Sequence, residues 1–236
     1  MPTLPEAQHY AFFDVDGTVI ARDSFRILMS ELLLKGPSWR VALAALIFIA
    51  LATLKILRLA DKTQFKSALL WSATVGRSLR ESLTLLKHVV NQQIAPLWFI
   101  EMAEELQKLR TSGHKICYVS ASGEPWLRFL LKRCDPHEKL IVGSKLMPFL
   151  GGITLRGANC LGAEKIRRLR KILPNTIVWS VAYSDHRADL PLLLASRKRI
   201  VVNPTEKSRK AFQRHLGAEG FTEVSWTPST PENLST

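Results

Sequence analysis

Three short apolar runs punctuate the chain, and each ends in polar or glycine residues. Residues 10–15 run into Asp16 and Gly17, residues 115–119 into Ser120-Ala121-Ser122-Gly123, and residues 176–183 into Ser184 and Asp185. Runs of this length without polar alternation predict strands buried on both faces, each feeding a loop. Between them the apolar spacing becomes helical: Leu97, Ile100, Leu106 and Leu109 lie near one face over 96–112, and Leu161, Ile166, Leu169 and Leu173 do so over 161–173. Alternating strands and helices predict an α/β fold with a doubly wound parallel sheet and a ligand at the carboxyl ends of its strands.

About ninety residues separate the first two strands, too many for one crossover helix and almost free of strand signals. They predict an α-helical cap, 21–113, inserted after the first strand into a core formed by 1–20 and 114–220. Its helices are expected over 24–35, 39–59, 62–71 and 80–94, with a turn at Gly36-Pro37 and Asp61 as a candidate N-cap. Beyond Ala218 the chain is rich in Thr, Ser, Pro and Glu, so 221–236 is expected to be a loose tail.

Composition narrows the classes. A chain of 236 residues with 47% hydrophobic and 22% charged residues can bury a full core, which excludes a wholly disordered protein. The 33 Lys and Arg outnumber the 20 Asp and Glu, and the resulting +13 favours polyanionic partners: nucleic acid, anionic lipid headgroups or phosphorylated substrates. The basic runs lack interleaved aromatic residues and no nucleic-acid-binding fold is visible, so nucleic acid is not expected. Cys117, Cys134 and Cys160 are widely spaced and fit a reduced compartment. Residues 1–10 lack the basic and apolar regions of a secretory signal, and the catalytic part is expected to face the cytoplasm.

The strand ends carry the candidate chemistry. Asp14 and Asp16 are one residue apart where a strand stops, so one carboxylate could attack phosphorus while its neighbour moves a proton. Such a pair followed by glycine also closes strands as an ordinary turn. Ser120 and the amides beyond it could bind phosphate oxygens, although serine is common in turns. Asp185 and Asp189 add hard oxygen ligands suited to Mg²⁺, or serve as helix caps. Lys165 lies among Arg167, Arg168, Arg170 and Lys171, where any one cation could be solvated surface.

Order along the chain singles these residues out. Asp14-Val15-Asp16-Gly17-Thr18, then Ser120, then Lys165, then Asp185 with Asp189, resembles the four motifs of the haloacid dehalogenase superfamily of phosphatases. The resemblance spans roughly 10–202, and the insertion after the first motif places it near the phosphoserine-phosphatase-like branch. Leu69-Leu70-Trp71 with Gly76-Arg77-Ser78, residues 160–165, and 183–185 with 189–193 are further similar to the phosphatidylglycerophosphatase C family of that branch. Ala188 stands where phosphoserine phosphatases are expected to carry a substrate-holding asparagine.

The resemblance implies a magnesium-dependent phosphatase in which Asp14 becomes an aspartyl-phosphate and Asp16 is the general acid and base. It implies Mg²⁺ held by Asp14, the carbonyl of Asp16 and Asp185, with Asp189 behind them. Ser120, Ala121 and Lys165 would bind the phosphoryl group. The implied substrate is a phosphorylated lipid, phosphatidylglycerophosphate first, at a bacterial inner membrane; a soluble phosphatase of phosphoserine-like esters, or a basic lipid-binding module without activity, is the alternative.

Residues 41–54 form an unbroken run of fourteen apolar or threonine residues within 39–59, flanked by Arg40 and Lys55. As a helix the run is about 21 Å long, short of the roughly 30 Å hydrocarbon core. It could be a buried cap helix, but a small cap offers little core, and flanking cations suit an anionic membrane surface. Because the strands ending at Asp14 and Ser120 share one sheet, a single crossing between them is excluded. An interfacial or shallow re-entrant helical hairpin turning at Gly36-Pro37 is expected. Arg22 and Arg26 are candidates for contacting a second phosphate or neighbouring lipid.

Overall fold

The computed structural model describes residues 8–56, 62–137 and 140–229. β1 (His9–Phe13) is buried at all but its first residue. Tyr10 and Phe12 enter one apolar cluster with Cys117, Val119 and Ala182, while Ala11 and Phe13 enter another with Tyr118, Val181 and Tyr183. Alternating side chains therefore supply core to both faces, which requires a central strand. β1 pairs in parallel with β2 (Lys115–Gly123) and β6 (Val178–Ser184). With β3 (Ile141–Ser144), β7 (Lys198–Val202) and β8 (Thr222–Val224) the sheet has the order β3-β2-β1-β6-β7-β8, every pair parallel. α5 (Met102–Thr111) and α6 (Glu124–Cys134) cover one face; α7 (Ala163–Ile172), α8 (Leu190–Ala195) and α9 (Glu206–Leu216) cover the other. This is the expected doubly wound α/β sheet. The chain leaves β1 toward β2 and later returns to β6 on its other side, which opens a crevice at the strands' carboxyl ends.

Above the crevice stand α1 (Ser24–Leu34), α2 (Ser38–Ile56), α3 (Lys62–Thr74) and α4 (Leu79–Val89). Asp23 caps α1 by accepting the Arg26 amide at 3.0 Å, and Ser78 with Glu81 forms a capping box on α4. The helix expected over 80–94 is not uniform: α4 ends at Val89 and passes through a π-helical turn, Val90–Ile94, into a 3₁₀ turn, Ala95–Leu97. Pro96 has no N–H to offer an α-helical ladder there. The helix expected over 96–112 starts only at Met102, because Trp98 is extended and the linker bonds to the chain leaving β1. Ala21 N–H donates to Leu97 O at 2.9 Å and Phe99 N–H to Val19 O at 3.1 Å.

The cap also receives an antiparallel hairpin absent from the expected helical insertion. β4 (Leu146–Phe149) and β5 (Gly152–Leu155) are joined by Leu150 and Gly151, both at positive φ. The hairpin lies on α3: Trp71 Nε1 donates to Phe149 O at 3.0 Å, and Ile153 N–H to Thr74 Oγ1 at 2.8 Å. Strands this short, one containing Pro148, leave almost no alternation to read.

The tail expected over 221–236 is corrected for its described part. β8 extends the sheet, Trp226 stacks on Tyr183 with centroids 6.0 Å apart, and Asn203 Nδ2 donates to Trp226 O at 2.8 Å. Aromatic contact outweighs the polar composition of this stretch. Residues 230–236 lie outside the described residues, as do 57–59 of the apolar segment and the proposed cap Asp61.

α2 packs on α3 and α1 through a narrow stripe, with Ala44 and Arg40 buried and Arg40 donating to Val75 O. The opposite side is bare, Leu46 being 66% exposed and Ile49 63%, and Phe48 at the edge of the packed stripe is 53% exposed. The segment is thus not a buried cap helix. Among the described residues no helix is long and apolar enough to cross a membrane.

Candidate active site

β1 delivers Asp14 to the crevice, its amide donating to Tyr183 O on β6 at 3.0 Å. The chain then turns sharply, the Val19 and Ile20 amides bonding back to Val15 O. Gly17 makes this turn possible twice over. Its φ is +80°, and a Cβ there would lie 2.4 Å from Asp185 Oδ2, so only glycine admits the end of β6 against this loop. Thr18 fixes Asp185 reciprocally, donating from Oγ1 to Oδ1 at 3.3 Å and accepting the Asp185 amide at 2.9 Å.

Lys165 comes from the first turn of α7. Lys165 and Leu169 are the buried residues of this helix, with Ile166 partly buried beside them. The Lys165 side chain is 1% exposed, and its Nζ donates to Asp14 Oδ1 and Asp189 Oδ2, each at 2.7 Å. Ser184 Oγ donates to the same Asp189 oxygen at 2.9 Å. Burial alone would lower the Lys165 pKa, but the charges of Asp14 and Asp189 outweigh it and hold the ammonium firmly protonated. Arg168 is a different kind of cation: it pins α7 to the core through Gly143 O and Ala158 O.

Asp16 is held from two sides. The Ser24 amide at the start of α1 donates to Oδ1 at 2.7 Å, and Ser122 Oγ donates to Oδ2 at 2.5 Å, with Ser120 Oγ at 3.3 Å. Ser24 and Ser122 share a hydrogen bond, and Trp126 Nε1 donates to Ser24 Oγ at 3.2 Å. The Ala121 carbonyl accepts from Lys66 Nζ on α3 at 2.7 Å and from Ser144 Oγ at 2.8 Å. Burial lowers the Lys66 pKa, against the pull of Asp16 and Asp23.

Asp14, Asp16, Ser120, Ala121, Lys165, Asp185 and Asp189 all line one cavity of about 370 Å³. Arg22 joins them, whereas Arg26 is not on this wall. Sequence reasoning missed Asp23 and Ser122, and did not single out Lys66, which also line it. Ser122 lay in view beside Ser120; nothing local marks Lys66, which reaches the site only because α3 folds over the loop after β2.

Negative charge dominates the interior. Burial raises the pKa of Asp14, Lys165 opposes this, and Asp189, Asp185 and Asp16 push it up further. Burial and the charge of Asp189 push Asp185 up to about 7. Asp189 Oδ1 is buried with no hydrogen-bond partner among the described residues. An added cation would relieve all three conditions, and carboxylate and carbonyl oxygens are hard donors that fit Mg²⁺. Among the described residues no three His, Cys, Asp or Glu side chains converge as a ready cage. An ion bound by Asp14 and Asp185 would therefore draw a further ligand from the backbone, as at the Asp16 carbonyl.

The matching family model is that of the haloacid dehalogenase-like hydrolases, over residues 11–194. The chain belongs to this family and is a hydrolase. It is 26% identical over 215 residues to a probable phosphatase of Mycobacterium tuberculosis, covering 88% of this chain and 73% of that one. Among solved structures, a protein of unknown function from Bordetella pertussis aligns over 93% of this chain and 99% of its own, with TM-score 0.74 and 19% identity. A probable phosphoserine phosphatase from Vibrio cholerae aligns over 94% of this chain and 61% of its own, with TM-score 0.65 and 14% identity. These two likenesses establish a shared fold.

Proposed function

We propose that the chain is a magnesium-dependent phosphomonoester hydrolase that forms an aspartyl-phosphate on Asp14 and acts on a membrane lipid phosphate, phosphatidylglycerophosphate being the first candidate. The observation that carries the phosphatase reading is Lys165, buried between Asp14 and Asp189 at the floor of the crevice. A buried cation beside a carboxylate nucleophile serves a reaction that moves a dianionic group. The family and the relative described as a probable phosphatase support the same reading.

Asp14 attacks phosphorus, forming a P–O bond as the ester P–O bond breaks. Asp16, aimed by Ser24 and Ser122, gives the departing alkoxide its proton and later takes one from the water that cleaves the acyl phosphate. Ser120, the Ala121 amide and Lys165 hold the phosphoryl oxygens, and Asp189 keeps Lys165 in place. Mg²⁺, held by Asp14, the Asp16 carbonyl and Asp185, would neutralise charge on the phosphate.

The lipid half rests on the bare apolar side of α2, next to a strongly basic chain. On this reading the enzyme works at the inner membrane with its core in the cytoplasm. Ala188 on the cavity wall offers no side-chain hydrogen bond to an amino-acid substrate. Assay of the purified protein with Mg²⁺ against phosphorylated lipids in anionic vesicles and against soluble phosphate esters tests both halves. Turnover of lipid phosphate well above the soluble esters is expected; preference for a soluble ester such as phosphoserine overturns the lipid half, and no turnover of any monoester overturns the whole.

A further inference from the structure

A second cavity, about 790 Å³, opens beside the first. The two share Asp23, Lys66, Ala121 and Leu161 as walls, so a polar pocket and a largely apolar one adjoin there. The second is faced by Phe25, Phe48, Phe65 and Leu69. Phe48 on α2 meets Phe65 on α3 edge to face at 5.7 Å, and Lys66 Nζ lies 4.7 Å from the centroid of the Phe25 ring.

We infer that this groove receives the hydrocarbon chain of the phosphate ester, which enters past Lys66 while its phosphate rests against Lys165. The inference rests on the phosphatase reading and gives its substrate a second point of recognition. Three observations commit the groove to this occupant. It shares four wall residues with the phosphate pocket, so a chain attached to a phosphate seated there lies within its reach. Its size falls in the range of small-ligand sites, about 300–1,000 Å³. Its polar walls are engaged within the protein: Asp23 caps α1, Lys66 bonds to Ala121 O, and Asn159 Oδ1 accepts from Ser144 Oγ at 2.8 Å. A sugar or peptide would lose hydration there for few hydrogen bonds in return, whereas methylene groups lose nothing. The Phe48 edge of the groove also borders the exposed side of α2, so a chain lifted from a bilayer need not cross open water.

Monomeric alkyl phosphates test this without a membrane. With Mg²⁺ and no vesicles, the specificity constant for octyl phosphate should exceed that for butyl phosphate by at least about tenfold, a modest share of what burying four methylenes provides. The octyl-to-butyl ratio cancels losses common to both substrates. Ala52 also lines the groove, and filling it by Ala52→Trp should reduce the ratio to about twofold; Phe48→Ala, which alters a half-exposed side chain and so spares the fold, should lower it several-fold. Equal constants in the unaltered protein overturn the groove, as does an unchanged ratio in both folded variants. Hydrolysis of vesicle-borne lipid phosphate with no preference between the alkyl esters removes the groove and leaves the phosphatase reading standing. Failure to hydrolyse any monoester removes both.

Discussion

The crevice and the outer side of α2 invert the usual arrangement of a folded chain. In one, Lys165, Asp14 and Asp189 are buried; in the other, Leu46, Phe48 and Ile49 face outward. The two inversions have different causes. The buried charges compensate one another at hydrogen-bonding distance, and the site remains short of positive charge, which a phosphate-metal reaction can use. Leu46 and Ile49 stay exposed because α1 and α3 can cover only one side of α2, and Phe48 at its edge is only partly covered by Phe65. On the proposed reading, buried charge serves the chemistry and exposed apolar surface sets the location.

Breaking the buried half should have the largest effects. Asp14→Asn should reduce turnover at least about a thousandfold and abolish phosphoenzyme trapping, because an amide cannot attack phosphorus; substantial turnover in the folded variant would end the mechanism. Lys165→Ala should lower kcat/KM by about a hundredfold or more and cost about 3–5 kcal/mol of stability, since two buried carboxylates lose their counter-charge. Arg168 would be a poor control, being anchored to two carbonyls. Arg170 is exposed on the same helix, and Arg170→Ala should change kcat/KM by less than about twofold. Equal losses at both positions would mean that α7 supplies only general basic charge.

The exposed half should respond differently. Serine at Leu46, Ile47 and Ile49 together should release the protein from anionic vesicles in sedimentation and lower lipid hydrolysis about tenfold, while a soluble ester is still cleaved. If the folded variant stays membrane-bound, the outer side of α2 does not set location. Among the variants expected to lose activity, the smallest effect is expected from Ser122→Ala, a loss of about three- to tenfold in kcat with KM little changed. Asp16 loses one hydroxyl donor but keeps the Ser24 amide. A rise in KM with kcat intact would show that Ser122 binds substrate and does not aim Asp16.

The strand ends were legible because a parallel sheet brings the termini of its strands together whatever lies between them. Asp14, Ser120 and Asp185 needed only three apolar runs to be placed. Lys165 was legible only through its order after the strand-end motifs, although the structure shows it on the buried stripe of α7 with Leu169. Lys66, Asp23 and Ser24 could not be read this way. Their positions depend on how the cap settles on the loop after β2, which no local pattern encodes. The β4–β5 hairpin and β8 were missed because four- and three-residue strands fall below the length at which period two can be seen.

The segments joining cap to core, 19–21 and 97–99, are bonded to one another, and the C-terminal stretch is bonded to the second of them. Ile100 N–H donates to Thr227 O at 3.0 Å and Ser229 N–H to Trp98 O at 2.9 Å. Two separate tethers would let the cap swing in any direction; two laced side by side leave it one axis of bending, and the third segment acts as a splint across that axis. Ending the chain after Val224 should therefore leave the sheet paired yet widen the cap's swing, seen as faster hydrogen exchange at the Trp98 to Ile100 amides and a lower catalytic rate with Asp14 untouched.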